Sequence, residues 1–206
     1  MVFKNRNDAA HKLVPLLKKY GKEESVVMAI PRGGVPVASP IAKTYNLPLD
    51  LLMAKKIGHP AHPEFAIGAV TPEDHIIDEH YMPQSYIDSQ VKSIRQSLRE
   101  RYKTFTGGHP PSSVENKTVI IVDDGAATGN TIISAIKMLR RKKPKKIVVA
   151  LPVAPRETAE KIRQQADDFI CLFTPASFLG VGLHYTDFTQ VSDEEVKLLL
   201  ANTNRF

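Results

Sequence analysis

Short apolar runs alternate with longer amphipathic stretches along most of this 206-residue chain. The short runs are continuously apolar, which is typical of strands that are buried on both faces of a parallel sheet. The longer stretches carry apolar residues three and four positions apart, as in a helix that buries one face. Their alternation predicts an α/β fold in which a parallel sheet is flanked by helices.

The predicted elements can be placed by residue number. Strands are expected at Ser25–Ile30, Leu49–Ile57, Phe65–Val70, His75–Asp78, Thr118–Val122, Lys146–Pro152 and Phe169–Phe173. Helices are expected at Val35–Tyr45, Pro83–Phe105, Thr131–Arg141 and Arg156–Gln165, with a terminal helix that opens at Ser192 in a capping-box pattern. A loop rich in Gly, Pro and His covers Gly58 to Glu64. A chain of this length is expected to form a single domain over residues 1–206.

The net charge of +6 favours an anionic partner. Two kinds of site compete, a nucleic-acid surface and a pocket for a small polyanion. The densest basic run, residues 140–146, contains Pro144 and lies where a helix should end. Cations at that position stabilise the last carbonyls and the helix dipole. We therefore do not expect nucleic acid as a partner.

Other features of the composition point to a cytoplasmic protein. The one cysteine, Cys171, suits a reducing compartment. No segment approaches the roughly 20 apolar residues that a membrane helix requires. The first residues also lack the uninterrupted apolar stretch of a signal peptide. No membrane partner is expected.

The segment Val119–Thr131 carries the strongest chemical signal. Four β-branched residues are followed by Asp123 and Asp124, at the carboxyl end of a strand, where open α/β sheets bind their ligands. A run of small residues and then a helix come next. Backbone N–H groups in such a loop converge on an anion, helped by the helix dipole. The segment predicts a phosphate site, and the adjacent acids suit two vicinal ribose hydroxyls with magnesium nearby.

This segment resembles the phosphoribosyl-diphosphate motif of type I phosphoribosyltransferases, in which four apolar residues and two acids precede a small-residue loop that ends Thr-Gly-x-Thr. The resemblance implies that Asp123 and Asp124 hold the ribose 2- and 3-hydroxyls, and Mg²⁺ through water or those hydroxyls. It implies that the 5-phosphate is bound by Gly125, Ala126, Ala127, Thr128, Gly129, Asn130 and Thr131. The implied reaction transfers the 5-phosphoribosyl group from 5-phosphoribosyl-1-diphosphate (PRPP) to a nitrogenous acceptor such as a nucleobase, releasing diphosphate.

Two further segments are similar to the same family. The residues 29–38 look like its diphosphate loop, which often contains a non-proline cis peptide, and they offer Arg32, Gly33 and Gly34. The residues 54–60 look like the start of its flexible loop, with Lys55 and Lys56 as candidates for the diphosphate and Glu64 as a candidate general base. The resemblance also implies a small hood, built from the N-terminal region and residues 174–206.

Almost the whole chain resembles a widespread bacterial subgroup of phosphoribosyltransferases whose substrate is unassigned. Two departures argue against a 6-oxopurine acceptor: Ala127 stands where hypoxanthine–guanine enzymes have an Asp, and no lysine occurs in Leu151–Pro155. Two other functions stay open, a PRPP-sensing regulator of a nucleic acid or protein, and a hydrolase with water as the acceptor. The oligomeric state is also open, although dimers are common in the family.

Overall fold

The computed structural model describes residues 2–62, 65–77 and 82–204. Its strands are β1 (Ser25–Ala29), β2 (Leu49–Leu51), β3 (Lys55–Gly58), β4 (Ala66–Val70), β5 (His75–Ile77), β6 (Thr118–Val122), β7 (Lys146–Val153) and β8 (Asp168–Phe173). Its helices are α1 (Arg6–Leu13), α2 (Gly34–Tyr45), α3 (Gln84–Thr106), α4 (Asn130–Arg141), α5 (Arg156–Arg163) and α6 (Asp193–Thr203). Short 3-10 turns lie at Val14–Leu17, Tyr20–Lys22 and Val181–His184. None of the helices in this described part of the chain is both long and apolar enough to span a bilayer.

Five strands form a parallel sheet in the order β2-β1-β6-β7-β8. All residues of β1 and β6 are buried, as expected for strands that are apolar after their first residue. Val27 of β1 lies opposite Ile120 of β6, which in turn lies opposite Val148 of β7. The predicted parallel sheet flanked by helices is confirmed.

Helices cover both faces of this sheet because alternate residues of each strand point to opposite sides. In β6, Ile120 and Val122 belong to the core beneath α1, α2, α3 and α6. Val119 and Ile121 belong to the second core, beneath α4 and α5. Each fully buried Val or Ile contributes about 1.5–3 kcal/mol relative to an exposed one, so the two cores fix the position of β6.

The predicted strand Leu49–Ile57 is wrong as a single element. The N–H of Leu52 still donates to the carbonyl of Ala29 at 2.8 Å, but the chain then leaves the parallel sheet. It continues as β3, which pairs antiparallel with β4 in a separate three-stranded sheet of order β3-β4-β5. Gly58 consequently belongs to a strand and not to the predicted loop. Lys55 and Lys56 mark a change in polarity within the segment, but no Gly or Pro interrupts it, so the pattern does not show where the break falls.

The other predicted boundaries agree with the structure to within two residues. The hydroxyl of Ser192 accepts from the backbone N–H of Glu195 at 3.0 Å, which confirms the predicted cap of α6. Asp78 and Glu64 lie outside the described residues. The carboxyl ends of the neighbouring strands β1 and β6 lie side by side at one edge of the parallel sheet, and the loops that follow them build the candidate site.

Candidate functional site

The loops after β1 and β6 are in direct contact. The N–H of Ile30 donates to the carbonyl of Val122 at 2.9 Å, which keeps the two chains together beyond the strands. A Cβ added to Gly33 would lie 2.1 Å from Oδ2 of Asp124. One added to Gly34 would lie 2.6 Å from the carbonyl oxygen of Val122. Only glycines allow this approach. The structure thereby brings the predicted diphosphate loop against Asp123 and Asp124, which we call the acid pair.

The Pro31–Arg32 peptide bond in this loop is cis, as the resemblance led us to expect. The guanidinium of Arg32 is directed to the start of α6, where its Nη1 donates to Oδ1 of Asp193 at 3.3 Å. Nη2 of Arg101 lies 3.6 Å from the same oxygen. Asp193 therefore holds Arg32 beside the site, and it also lies close to Arg101 of α3.

The two carboxylates of the acid pair are oriented by different partners. Oδ1 of Asp123 accepts from the backbone N–H of Asp124 at 2.8 Å. Oδ2 of Asp124 accepts from Nε of Arg6 at 2.8 Å. Within the described residues no hydrogen bond reaches the second oxygen of either carboxylate, and neither oxygen is sealed from solvent. The pair thus presents two open acceptors at the carboxyl edge of the sheet.

Burial raises the pKa of Asp123 well above its ordinary value, and the neighbouring charge of Asp124 raises it further. Burial also raises the pKa of Asp124, although its hydrogen bond with Arg6 opposes this. Two adjacent, poorly solvated carboxylates repel each other, so their charged forms need a cation or hydrogen-bond donors nearby. The electrostatics of the pair therefore favour a ligand that brings hydrogen-bond donors together with a cation.

Arg6 is a site residue that the sequence did not reveal. Its Nη1 donates to the carbonyl of Thr189 at 2.8 Å, and its guanidinium carbon lies 3.9 Å from the centre of the Phe188 ring. The hydroxyl of Tyr185 donates to the backbone carbonyl of Asp124 at 2.6 Å. These partners are separated from the acid pair by more than sixty residues of chain, and no local pattern marks them.

The N-terminal residues and the segment around Tyr185 are joined by backbone hydrogen bonds. The N–H of Phe3 donates to the carbonyl of His184 at 2.8 Å, and the N–H of Thr186 donates to the carbonyl of Phe3 at 2.8 Å. Val181, in the same segment, lies against Gly125. The structure therefore brings parts of both predicted hood regions to the acid pair and to the start of the small-residue loop.

The small-residue loop leads from β6 into α4 and is anchored from one side. The N–H of Ala126 donates to the carbonyl of Val153 at 3.0 Å, and the carbonyl of Ala127 accepts from the Thr158 hydroxyl at 2.7 Å. Gly129 has a φ of 72°, a conformation that strains any other residue, and α4 begins directly after it.

The opposite side of this loop is open. The side chains of Ala127, Thr128, Asn130 and Thr131 are exposed. Among the residues that the structure describes, the N–H groups of residues 127–129 donate no hydrogen bond. Unpaired N–H groups and two hydroxyls at a helix N-terminus form the arrangement that binds an anion.

Three further predicted residues, Lys55, Lys56 and Glu64, belong to the segment after β2. Lys55 and Lys56 are exposed at the start of β3, and among the described contacts Lys55 makes no ion pair with the acid pair. Glu64 lies outside the described residues, so its predicted role as a general base stays a prediction.

The basic run at the end of α4 is largely neutralised by acids. Arg140 pairs with Asp167 at 2.7 Å, and Arg141 pairs with Asp74 at 2.8 Å. Lys142 lies 3.2 Å from a carboxylate oxygen of Glu73. This pairing favours the interpretation of the run as an ordinary helix end, and it disfavours a surface for nucleic acid.

Comparisons with known proteins agree with this geometry. The family described as "Phosphoribosyl transferase domain" matches residues 2–185. Relatives from two Mycobacterium tuberculosis strains, provisionally named phosphoribosyl transferases, are 34% identical over 210 residues, covering 99% of this chain and 47% of theirs. The chain thus spans about half the length of these relatives.

Two solved structures share the fold. A crystal structure from Thermus thermophilus is 34% identical, with a TM-score of 0.90, and the match covers 98% of this chain and 99% of that one. A hypothetical protein from Neisseria gonorrhoeae, crystallised with ppGpp, is 13% identical with a TM-score of 0.53, covering 98% and 94% of the two chains, which shows the fold alone. By the family match and these relatives, the chain belongs to the phosphoribosyl transferase family.

Proposed function

We propose that this protein transfers the 5-phosphoribosyl group of PRPP to a nitrogenous acceptor and releases diphosphate. The observation that carries the proposal is the contact of two loops at one edge of the sheet. The loop of Arg32, Gly33 and Gly34 packs directly on Asp123 and Asp124. A sugar held by the acids would thus have its leaving group beside the first loop.

The parts of the ligand correspond to separate parts of the site. The open oxygens of Asp123 and Asp124 would accept from the two vicinal ribose hydroxyls. The N–H groups of residues 127–129, with the hydroxyls of Thr128 and Thr131, would bind the 5-phosphate. Hydrogen bonds to charged groups contribute about 1.5–3 kcal/mol each, so a few of them suffice for specific binding.

The site suits magnesium that is bound mainly by the substrate. The described residues contain no group of three or more His, Cys, Asp or Glu side chains able to hold a metal ion. Magnesium in phosphate-handling sites is commonly held by one or two carboxylates, with the other positions filled by water and substrate oxygens. Asp123 and Asp124 offer such carboxylates, through water or the ribose hydroxyls. When bound, the ion would offset negative charge on the diphosphate.

In the proposed reaction the bond between C1 of the ribose and the diphosphate oxygen breaks, and its electron pair leaves with the diphosphate. The acceptor nitrogen forms the new bond to C1 with its lone pair and then loses a proton. The acid pair fixes the ring, and its negative charge stabilises the positive charge that develops on the sugar. The acceptor is not expected to be a 6-oxopurine, because Ala127 carries no acid and Leu151–Pro155 carries no lysine.

The proposal can be tested by measuring diphosphate release from PRPP and Mg²⁺ with a panel of nucleobases and amines. Replacing Asp124 with Asn should lower the rate with the best acceptor about 10²-fold or more, because a fixed charge beside the reacting centre is lost. Asp167→Asn is the matched control, since Asp167 lies at the opposite edge of the sheet, where it accepts from the N–H of Ile147. A panel without any acceptor-dependent release, or an Asp124→Asn variant as fast as the control, would contradict the proposal.

A further inference from the structure

We infer that Arg6 is a positioning residue for this site: it turns the carboxylate of Asp124 so that one oxygen is left open for a single ribose hydroxyl. This inference rests on the proposed function, since it concerns the way in which the same acid pair holds the sugar. Arg6 is not expected to touch the substrate's reacting atoms, and it acts through Asp124.

The geometry of the carboxylate supports this role. Oδ2 of Asp124 accepts from Nε of Arg6 at 2.8 Å and lies against Gly33, so this oxygen is bonded on one side and crowded by the backbone on another. Oδ1 has no hydrogen-bond partner among the described residues. Without Arg6, the carboxylate could rotate and offer either oxygen, or neither, at the position of the hydroxyl. Fixed acceptors bind a hydroxyl more tightly than mobile ones because their ordering does not have to occur on binding.

Arg6 is itself held firmly enough to orient another side chain. Only 12% of its side chain is exposed. Its Nη1 donates to the carbonyl of Thr189, and its guanidinium carbon lies over the Phe188 ring. Arg6 is also the first residue of α1, a helix whose N-terminus is capped by Asn5 through the N–H of Asp8 at 3.0 Å. An arginine with three fixed contacts presents its Nε donor in one direction.

Asp123 is oriented in a different way. Its Oδ1 accepts from the backbone N–H of Asp124; among the described residues it has no hydrogen bond with Arg6, which acts on Asp123 through its charge alone. Removal of the Arg6 side chain should therefore affect the hydroxyl bound by Asp124 and leave the hydroxyl bound by Asp123. A purely structural ion pair would instead lower stability without changing the choice between hydroxyls.

Calorimetric titrations with three ligands separate these cases: ribose 5-phosphate, 2-deoxyribose 5-phosphate and 3-deoxyribose 5-phosphate. The wild-type protein should bind ribose 5-phosphate about tenfold or more tightly than either deoxy sugar. For one of the two deoxy sugars, Arg6→Met should reduce the affinity ratio to ribose 5-phosphate about tenfold. This should be the same hydroxyl for which Asp124→Ala loses the preference. The preference for the other hydroxyl should stay unchanged. Arg140→Gln, which removes an exposed arginine paired with Asp167, should keep both preferences.

If Arg6→Met does not fold, Arg6→Lys can be used to test whether Arg6 positions Asp124. Lysine keeps the charge but lacks the Nε donor and the planar fork, so the affected preference should fall between those of the wild type and Asp124→Ala. An Arg6 variant that keeps both preferences at the wild-type level overturns the inference and leaves the proposed function intact. A wild-type protein that binds none of the three sugars overturns the proposed function, and the inference with it.

Discussion

Gly33 is the position at which one added methyl group should push the loop after β1 away from the Asp124 carboxylate. A Cβ on Gly33 would lie 2.1 Å from Oδ2 and 2.6 Å from Cγ of Asp124. Gly33 has φ −60° and ψ −33°, so its backbone conformation is one that alanine adopts without strain. Any loss of stability in Gly33→Ala must therefore come from the displaced carboxylate and not from the backbone.

The size of the effect follows from two opposing contributions. Alanine in a compatible conformation stabilises a protein by about 0.4–1 kcal/mol, because it restricts the unfolded chain. Moving Asp124 away from Arg6 removes a charge-assisted hydrogen bond between two largely buried side chains, which contributes about 1.5–3 kcal/mol. The net loss is about 0.5–2.5 kcal/mol, and each kcal/mol corresponds to about 2–4 °C in Tm for a chain of this length.

Urea unfolding of single and double variants measures this coupling. In an Asp124→Ala background the methyl group added at position 33 meets no carboxylate, so Gly33→Ala should cost nothing or stabilise slightly. Gly34→Ala is the matched control, because its Cβ would lie 2.6 Å from the backbone carbonyl oxygen of Val122, which cannot move aside. It should stay destabilising in both backgrounds. If Gly33→Ala is equally costly with and without the Asp124 carboxylate, the proposed packing of the two loops is refuted.

Two further predictions concern residues away from the site. The hydrogen bond from Arg140 lowers the pKa of Asp167, so this carboxylate stabilises the fold above its unfolded pKa of about 3.9, and the contribution is lost as the pH falls through the lower folded pKa. The difference in unfolding free energy between the wild type and Asp167→Asn should be constant from about pH 5 to 7 and shrink below about pH 4; a difference that grows on acidification would contradict the assignment. Burial raises the pKa of Cys171 from 9.0 to about 11, which leaves about a hundredfold less thiolate at pH 8. A disulfide reagent should therefore label the native protein far more slowly than the urea-unfolded protein, and equal rates would show that the thiol is accessible.

The elements around the site were predictable where their signals are local. Strand β6 was predicted with its observed bounds, because its five buried residues are followed at once by acids and small residues. The break between β2 and β3 was not predicted, because it depends on whether a residue pairs with β1 or with β4, and the polar residues Lys55 and Lys56 do not identify that partner. Periodicity reports burial on a face, and it does not identify the partner strand.

The two carboxylates of the acid pair show the same limit within the site. Asp123 is oriented by the N–H of the next residue, so the local motif is sufficient to place it. Asp124 is oriented by Arg6, 118 positions away, and its backbone is held by Tyr185, 61 positions away. Such partners leave no trace in local spacing, since an arginine at the start of a helix and a tyrosine in a loop are ordinary in themselves. The motif therefore predicts which side chains would bind the sugar, whereas the fold decides which of their oxygens remain open to a ligand.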